Sequence, residues 1–170
     1  METFFSSNKS GSSARGYTSC QVCATEFGYV FVVPMEGKSG IKILQAIKNY
    51  FKEIGVPLHL IYDQSREQVH GDARLLCNKS GCHVIELKKV IPAANREEIS
   101  INILKYGCKR YMFDTNSPMV FWCYFNERRV SVINATIIVN HLLEGQLPHS
   151  RLKGQPTEYH QYANSVGTTV

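Results

Sequence analysis

Asp63 stands where a short apolar run, Leu58-His-Leu-Ile-Tyr62, gives way to the polar stretch Gln64-Ser-Arg-Glu-Gln68. Val56-Pro57 marks the start of the run, which therefore reads as a buried strand with an acid at its carboxyl end. Open α/β sheets place their chemistry at that end. Clustered carboxylates are hard oxygen ligands for divalent cations. Two such ions held about 4 Å apart can bridge a phosphate, activate a water or hydroxyl and stabilise a leaving oxygen. The chemistry open to Asp63 thus depends on which other acids the chain brings beside it.

The elements that must position those acids are legible as patterns. Met1 to Phe5 reads as the end of a strand, carrying Glu2, and Ser6 to Gly16 as a Ser/Gly/Lys loop. Tyr17 to Thr25 and Phe27 to Val33 are β-prone runs spaced for an antiparallel hairpin and closed by Pro34. Ile41, Leu44, Ile47, Phe51 and Ile54 form the stripe of an amphipathic helix that Gly55 ends. After the strand leading to Asp63, a second helix is expected over 67–77 and a short strand over 82–85. Residues 87–94 read as a loop. A long helix begins near the cap residue Asn95, with Ile101, Leu104, Cys108 and Tyr111 as its stripe. Ser117-Pro118 opens a last helix from Met119 to about Ile133, reaching at most His141, and beyond Gly145 the chain reads as a loosely packed polar tail.

Composition sets the bounds. The 170 residues, 44% hydrophobic, make one domain with a full core. The net charge of +5 suits a phosphate-rich partner without demanding one. There is no long apolar span and no signal-like start, so an intracellular setting is expected, with the six cysteines as free thiols.

A meander of three strands followed by strand–helix crossovers gives a mixed sheet with helices on its faces. An acid in the first strand, one after the fourth and one at the start of the later helix make this the ribonuclease H-like arrangement. Here the three are Glu2, Asp63 and Glu98. The expected fold is accordingly an α/β, ribonuclease H-like one: a mixed five-stranded sheet with helices on both faces and a truncated first strand. Its catalytic core spans 1–145, and 146–170 form the tail.

Short motifs in order carry a further likeness. Thr3-Phe-Phe, Gly16-Tyr-Thr-Ser-Cys-Gln-Val, Val33-Pro-Met, Lys52-Glu-Ile-Gly-Val-Pro, Asp63-Gln-Ser-Arg-Glu-Gln, Ala94-Asn-Arg-Glu-Glu and Asn116-Ser-Pro, then Glu127-Arg-Arg and Leu143-Glu-Gly-Gln-Leu-Pro-His, resemble the integrase catalytic core of copia-type LTR retrotransposons. The resemblance spans Glu2 to His149. It implies a DDE polynucleotidyl transferase using Mg²⁺ or Mn²⁺ for 3′-end processing and strand transfer on DNA. Asp63 matches the second acid and Glu98, two positions after Arg96, the third. Both, with Glu2, would be catalytic and metal-binding. Lys105, two helical turns beyond Glu98 on the same face, would contact element DNA. DNA ends, target DNA and further copies of the chain are the implied partners, and the nucleus the implied place of action.

Glu2 departs from the pattern, because the family has Asp there. The extra methylene adds about 1.5 Å of reach, whereas octahedral Mg²⁺ tolerates little misplacement. The family's upstream His/Cys zinc segment does not precede it. The expectation is thus an impaired, truncated integrase core, with a non-catalytic nucleic-acid-binding remnant as the alternative.

Plainer readings compete for individual residues. Asp63 and Glu67 could be a strand-end acid and a helix-start acid favoured by the dipole. Cys20 and Cys23 would face opposite sides of a strand, against a shared zinc. Cys77 and Cys82 read as buried thiols, and His59 and His83 as core or rim histidines. Lys88 and Lys89, just before the third acid, are either a solvated loop or DNA contacts. Trp122, with Phe121 and Phe125, reads as core or dimer-facing packing. Gly37-Lys-Ser39 lacks the earlier glycine of a phosphate loop.

Overall fold

The computed structural model describes residues 1–5, 11–62, 71–86, 96–136 and 145–154, with the backbone alone at 2, 4, 5 and 96–98. In chain order the elements are β1 (Glu2–Phe5), β2 (Ser19–Ala24), β3 (Val30–Met35), α1 (Gly40–Ile54), β4 (His59–Tyr62), α2 (Asp72–Lys79) and β5 (His83–Glu86). They continue with α3 (Arg96–Asp114), a 3₁₀ turn (Met119–Phe121), α4 (Trp122–Asn134) and α5 (Pro148–Lys153). The described pairings form a three-stranded antiparallel sheet, β1-β2-β3, and a parallel pair, β4-β5. The expectation was one five-stranded sheet. Among the described residues, a hydrogen bond from the Met1 ammonium to the Ile61 carbonyl, 2.6 Å, links the two groups.

β2 is buried from Ser19 to Cys23, and its alternate residues serve different layers. Cys20 and Val22, with Val30 of β3, pack with Ile101, Leu104, Cys108 and Met112 of α3 and Trp122 and Cys123 of α4. Cys23 belongs to a second core with Ile43, Ile47 and Tyr50 of α1, Leu60 and Tyr62 of β4, and Cys77 of α2. Helices thus cover both faces of the sheet. Cys20 and Cys23 do point apart, as strand alternation requires.

Local chemistry sets the boundaries. The hairpin between β2 and β3 turns on Gly28 at φ 89°, closed by Thr25 N–H to the Tyr29 carbonyl at 2.9 Å. Ser39 caps α1, its hydroxyl accepting from Lys42 N–H, and Gly55 ends the helix with φ 102°. α3 ends in a Schellman arrangement: Ser117 N–H reaches the Met112 carbonyl and Asn116 N–H the Phe113 carbonyl, with Asn116 at φ 49°. That geometry explains Asn116-Ser-Pro, since Asn tolerates the left-handed region and Pro cannot continue a helix.

Several expectations shift. The buried face of α1 is Ile43, Ala46, Ile47 and Tyr50, while Ile41, expected in the stripe, is 77% exposed. β4 is buried on one face only, through Leu60 and Tyr62. The second helix is described over Asp72–Lys79 rather than 67–77, and 67–70 lie outside the described residues. The supposed tail includes α5, with Leu147 and Pro148 buried. The loop at 87–94, Asn95, the reach to His141 and residues 155–170 lie outside the described residues.

Asn134, at the end of α4, secures the free edge of β3. Its Nδ2 donates to the Val30 carbonyl and its Oδ1 accepts from Val30 N–H, both at 2.8 Å and both buried. The side-chain amide replaces a strand partner there. Asn134→Ala leaves two buried backbone groups unpaired and should cost about 1–3 kcal/mol in urea unfolding.

All six cysteines are free and buried. Burial raises Cys108 and Cys82 from the usual thiol range to about 11. An unfolded chain ionises its thiols near pH 9, two units before the folded one does, so above pH 9 the folded state binds more protons. These two thiols therefore add no pH dependence in the neutral range and lower stability between pH 9 and 11, as read by thermal melts. Cys108→Ser and Cys82→Ser should flatten that fall.

Candidate functional site

The site expected from the sequence involves the start of β1, which meets the carboxyl end of β4 and against which α3 packs. The β1–β2 ladder sets Glu2 opposite Val22, Thr3 opposite Gln21, Phe4 opposite Cys20 and Phe5 opposite Ser19. Thr3 Oγ1 donates to Gln21 Oε1 at 2.7 Å. The Met1–Ile61 hydrogen bond then brings the start of β1 against the carboxyl end of β4. Position 2 is thus one residue from Met1, and position 63 two residues from Ile61.

Asp63 itself lies outside the described residues. Its predecessor, Tyr62, is the last residue of β4, fully buried, with its hydroxyl 3.6 Å from Cys77 Sγ of α2. Burial, with the Cys77 thiol beside it, holds the Tyr62 hydroxyl protonated far above the ordinary tyrosine range. β4 is therefore pinned at its last residue by the packing around Tyr62.

Glu98 is in the first turn of α3, where the helix dipole favours negative charge. One turn on, Ile101 is buried in the core that contains Val22, the cross-strand neighbour of position 2. α3 packs against both β2 and β1. The fold therefore brings the backbone of position 2 to the end of β4 and lays the helix carrying Glu98 over the same sheet. The side chains of Glu2, Asp63 and Glu98 lie outside the described residues.

The basic residues divide. Lys105 is exposed on α3, while Lys88 and Lys89 lie outside the described residues. Among the described residues no group of three His, Cys, Asp or Glu could hold a metal ion. His59 and His83 are exposed cross-strand neighbours with ring centroids 5.8 Å apart, at the rim rather than in the core. Trp122 is 5% exposed and belongs to the core, whereas Phe121 beside it is 39% exposed. No described helix is long and apolar enough to cross a membrane.

One cluster went unread in the sequence. Arg15 lies over the Tyr124 ring, 4.1 Å from its centroid, and its Nη1 donates to Glu127 Oε1 at 2.7 Å. With Ala14 N–H donating to the Val120 carbonyl at 2.8 Å, it ties the loop before β2 to α4. Glu127-Arg-Arg had been visible as a motif, but nothing in it signalled a partner so remote in sequence.

Neither a family model nor a curated protein gives a significant match to this sequence. Solved structures do. The HTLV-2 integrase catalytic core domain in complex with magnesium, in its trimeric form, superposes with a TM-score of 0.67 at 14% identity, over 89% of this chain and 92% of that one. A simian T-cell lymphotropic virus intasome chain gives a TM-score of 0.67 at 17% identity over 82% of this chain, but only 49% of its own length. The catalytic core domain of BIV integrase gives 0.62 at 16% identity, over 85% and 90%. The chain thus has the mixed α/β fold of retroviral integrase catalytic cores and spans about half the length of the intasome chain.

Tyr62→Ala should cost about 3–5 kcal/mol in denaturant unfolding, as for other large buried side chains. Tyr62→Phe removes only the hydroxyl–thiol contact and should cost less than about 1.5 kcal/mol. Equal losses would show that the polar contact, not the ring, pins β4.

Proposed function

We propose that this chain is an integrase-type catalytic core of a copia-type LTR retrotransposon, acting on DNA by divalent-metal-dependent phosphoryl transfer and impaired by its first acid. The observation that carries this is the Met1–Ile61 hydrogen bond within a fold shared with retroviral integrase cores. It holds the start of β1, the strand of position 2, to the end of β4, which precedes Asp63 in the chain. The ordered motifs from Thr3-Phe-Phe to Pro148-His149 favour the copia-type branch. In this reading β1 and β4 are neighbours in one five-stranded, ribonuclease H-like sheet, within a core over 1–145.

The donor set fits Mg²⁺ or Mn²⁺, which take hard carboxylate oxygens and keep several waters. Asp63 would contribute to both ion positions, with Glu98 completing one and Glu2 the other. Bound there, the ions would activate the water or 3′ hydroxyl and stabilise the departing oxygen. The chain's own contribution is positioning. β4 would fix the Asp63 carboxylate, the first turn of α3 would present that of Glu98, and Lys105, with Lys88 and Lys89, would hold DNA phosphates without reading bases. The HTLV-2 relative was solved in dimeric and trimeric forms, and self-association on DNA belongs to the same reading. So does action in the nucleus.

Glu2 sets the level of activity. Its side chain is a methylene longer than the aspartate of the resembled pattern, at the first residue of β1. This favours the second reading, a non-catalytic nucleic-acid-binding remnant, whose DNA affinity would fall steeply with salt while metal-dependent product stays absent.

Strand transfer on labelled element-end DNA with Mg²⁺ or Mn²⁺ separates the two. The expected result is weak product from the native chain, none from Asp63→Asn or Glu98→Gln, and at least tenfold more from Glu2→Asp. Equal product from the native chain, Asp63→Asn and Glu98→Gln would remove the assignment. Salt-sensitive DNA binding with no product from either the native chain or Glu2→Asp would establish the remnant.

A further inference from the structure

β4 turns Leu60 and Tyr62 into the core and leaves His59 and Ile61 exposed. Its parallel register with β5 sets His59 beside His83 and Ile61 beside Ile85, both of which are exposed as well. Cross-strand neighbours share a face, so the two imidazoles stand together on the uncovered side of the pair. The register is fixed at this point by His83 N–H donating to the Leu58 carbonyl at 2.8 Å. Further along, Leu60 and Tyr62 enforce it, since a slip of one residue would turn them out of the core. The ring centroids are 5.8 Å apart, with the planes inclined at 31°. An ion bonded to a ring nitrogen at 2.0–2.1 Å lies about 3.2 Å from the ring centre, so two rings whose centroids are within about 6.4 Å can flank one ion. The pair meets that condition with both strands where they are. Among the described residues neither ring has a hydrogen-bonding or ionic partner that would occupy its nitrogens.

We propose that His59 and His83 form a two-histidine site for a first-row transition ion of the kind that favours imidazole, copper(II) or zinc. Imidazole nitrogen suits these ions, whereas Mg²⁺ takes hard oxygen ligands. No group of three His, Cys, Asp or Glu among the described residues could hold a metal ion, so the two rings are the protein ligands and water fills the remaining positions. The site is separate from the acids. His59 is the first residue of β4, and Asp63 follows four positions later, about 13 Å along an extended strand. The site is independent of the phosphoryl-transfer reading, since it uses neither the carboxylates nor DNA. Bound there, the ion cross-links β4 to β5 at their amino ends, where each strand is only four residues long. An ion that binds the folded pair and not the unfolded chain stabilises the fold by mass action.

Cu²⁺ and Zn²⁺ are the two probes, each titrated into the native chain in excess Mg²⁺. Electron paramagnetic resonance of the copper sample should show an ion bound through two imidazole nitrogens. Calorimetry should show saturable binding of both ions, copper the tighter, as the general order of divalent affinities requires. Either ion should raise the melting temperature of the native chain. His59→Gln and His83→Gln alter exposed side chains and should melt with the native chain in metal-free buffer. Each should bind both ions at least tenfold more weakly and lose the two-nitrogen spectrum. Asp63→Asn should bind as the native chain does, which separates this site from the acids. Absence of saturable binding, or loss of binding in Asp63→Asn, would overturn the proposal. So would affinity and spectrum unchanged in either histidine variant, the mark of an adventitious ion only.

Discussion

A strand buried on both faces must satisfy two cores at once, and β2 is that strand. Cys20 and Val22 face α3 and α4, and Cys23 faces α1 and β4. Even its polar residues, Ser19 and Gln21, are fully buried. A one-residue slip would exchange the two sets, burying the wrong side chains in both layers. The register to β1 is therefore specified from both sides, and with it the place of position 2. Gln21 Oε1 accepting from Thr3 reinforces the same register through a partly buried polar pair.

From that fixed strand the remainder hangs by a few discrete ties. α4 is held to β3 by the amide of Asn134 and to the loop before β2 by Arg15 through Glu127 and the Tyr124 ring. The exposed ion pair contributes little by itself, whereas the buried Asn134 amide acts at an edge of the described sheet. On the other face, Tyr62 and Cys77 join β4 to α2. The end of β4 thus rests on hydrophobic packing beneath it.

The legible parts of the sequence were those whose signal is local. The α3 stripe of Ile101, Leu104 and Cys108 is buried as its three- and four-residue spacing demands, and Pro118 opens the turn that leads into α4. For α1 the same reasoning found part of the face, since Ile47 is buried and Phe51 and Ile54 pack against the core. Counting only large aliphatic and phenyl side chains passed over Ala46 and Tyr50, which are buried, and favoured Ile41, which is not. Leu147 and Pro148 were lost in a polar neighbourhood because a short buried segment has no periodicity to betray it. The strand pairings depend on contacts such as Met1 with Ile61, 60 positions apart, and no local pattern encodes those. For the site, residue types were readable but convergence was not. Asp63 declares itself at a strand end, whereas the approach of position 2 to that end is a tertiary fact.

The central claim is that Glu2, Asp63 and Glu98 meet around a shared divalent cation. Titration of the isotope-labelled chain with Mn²⁺, read as paramagnetic broadening of backbone amide signals, tests it without requiring turnover. The account predicts saturable broadening centred on the amides around positions 2, 62–64 and 97–99, abolished in Asp63→Asn and displaced by excess Mg²⁺. Broadening that spares those three segments, or persists unchanged in Asp63→Asn, would contradict it.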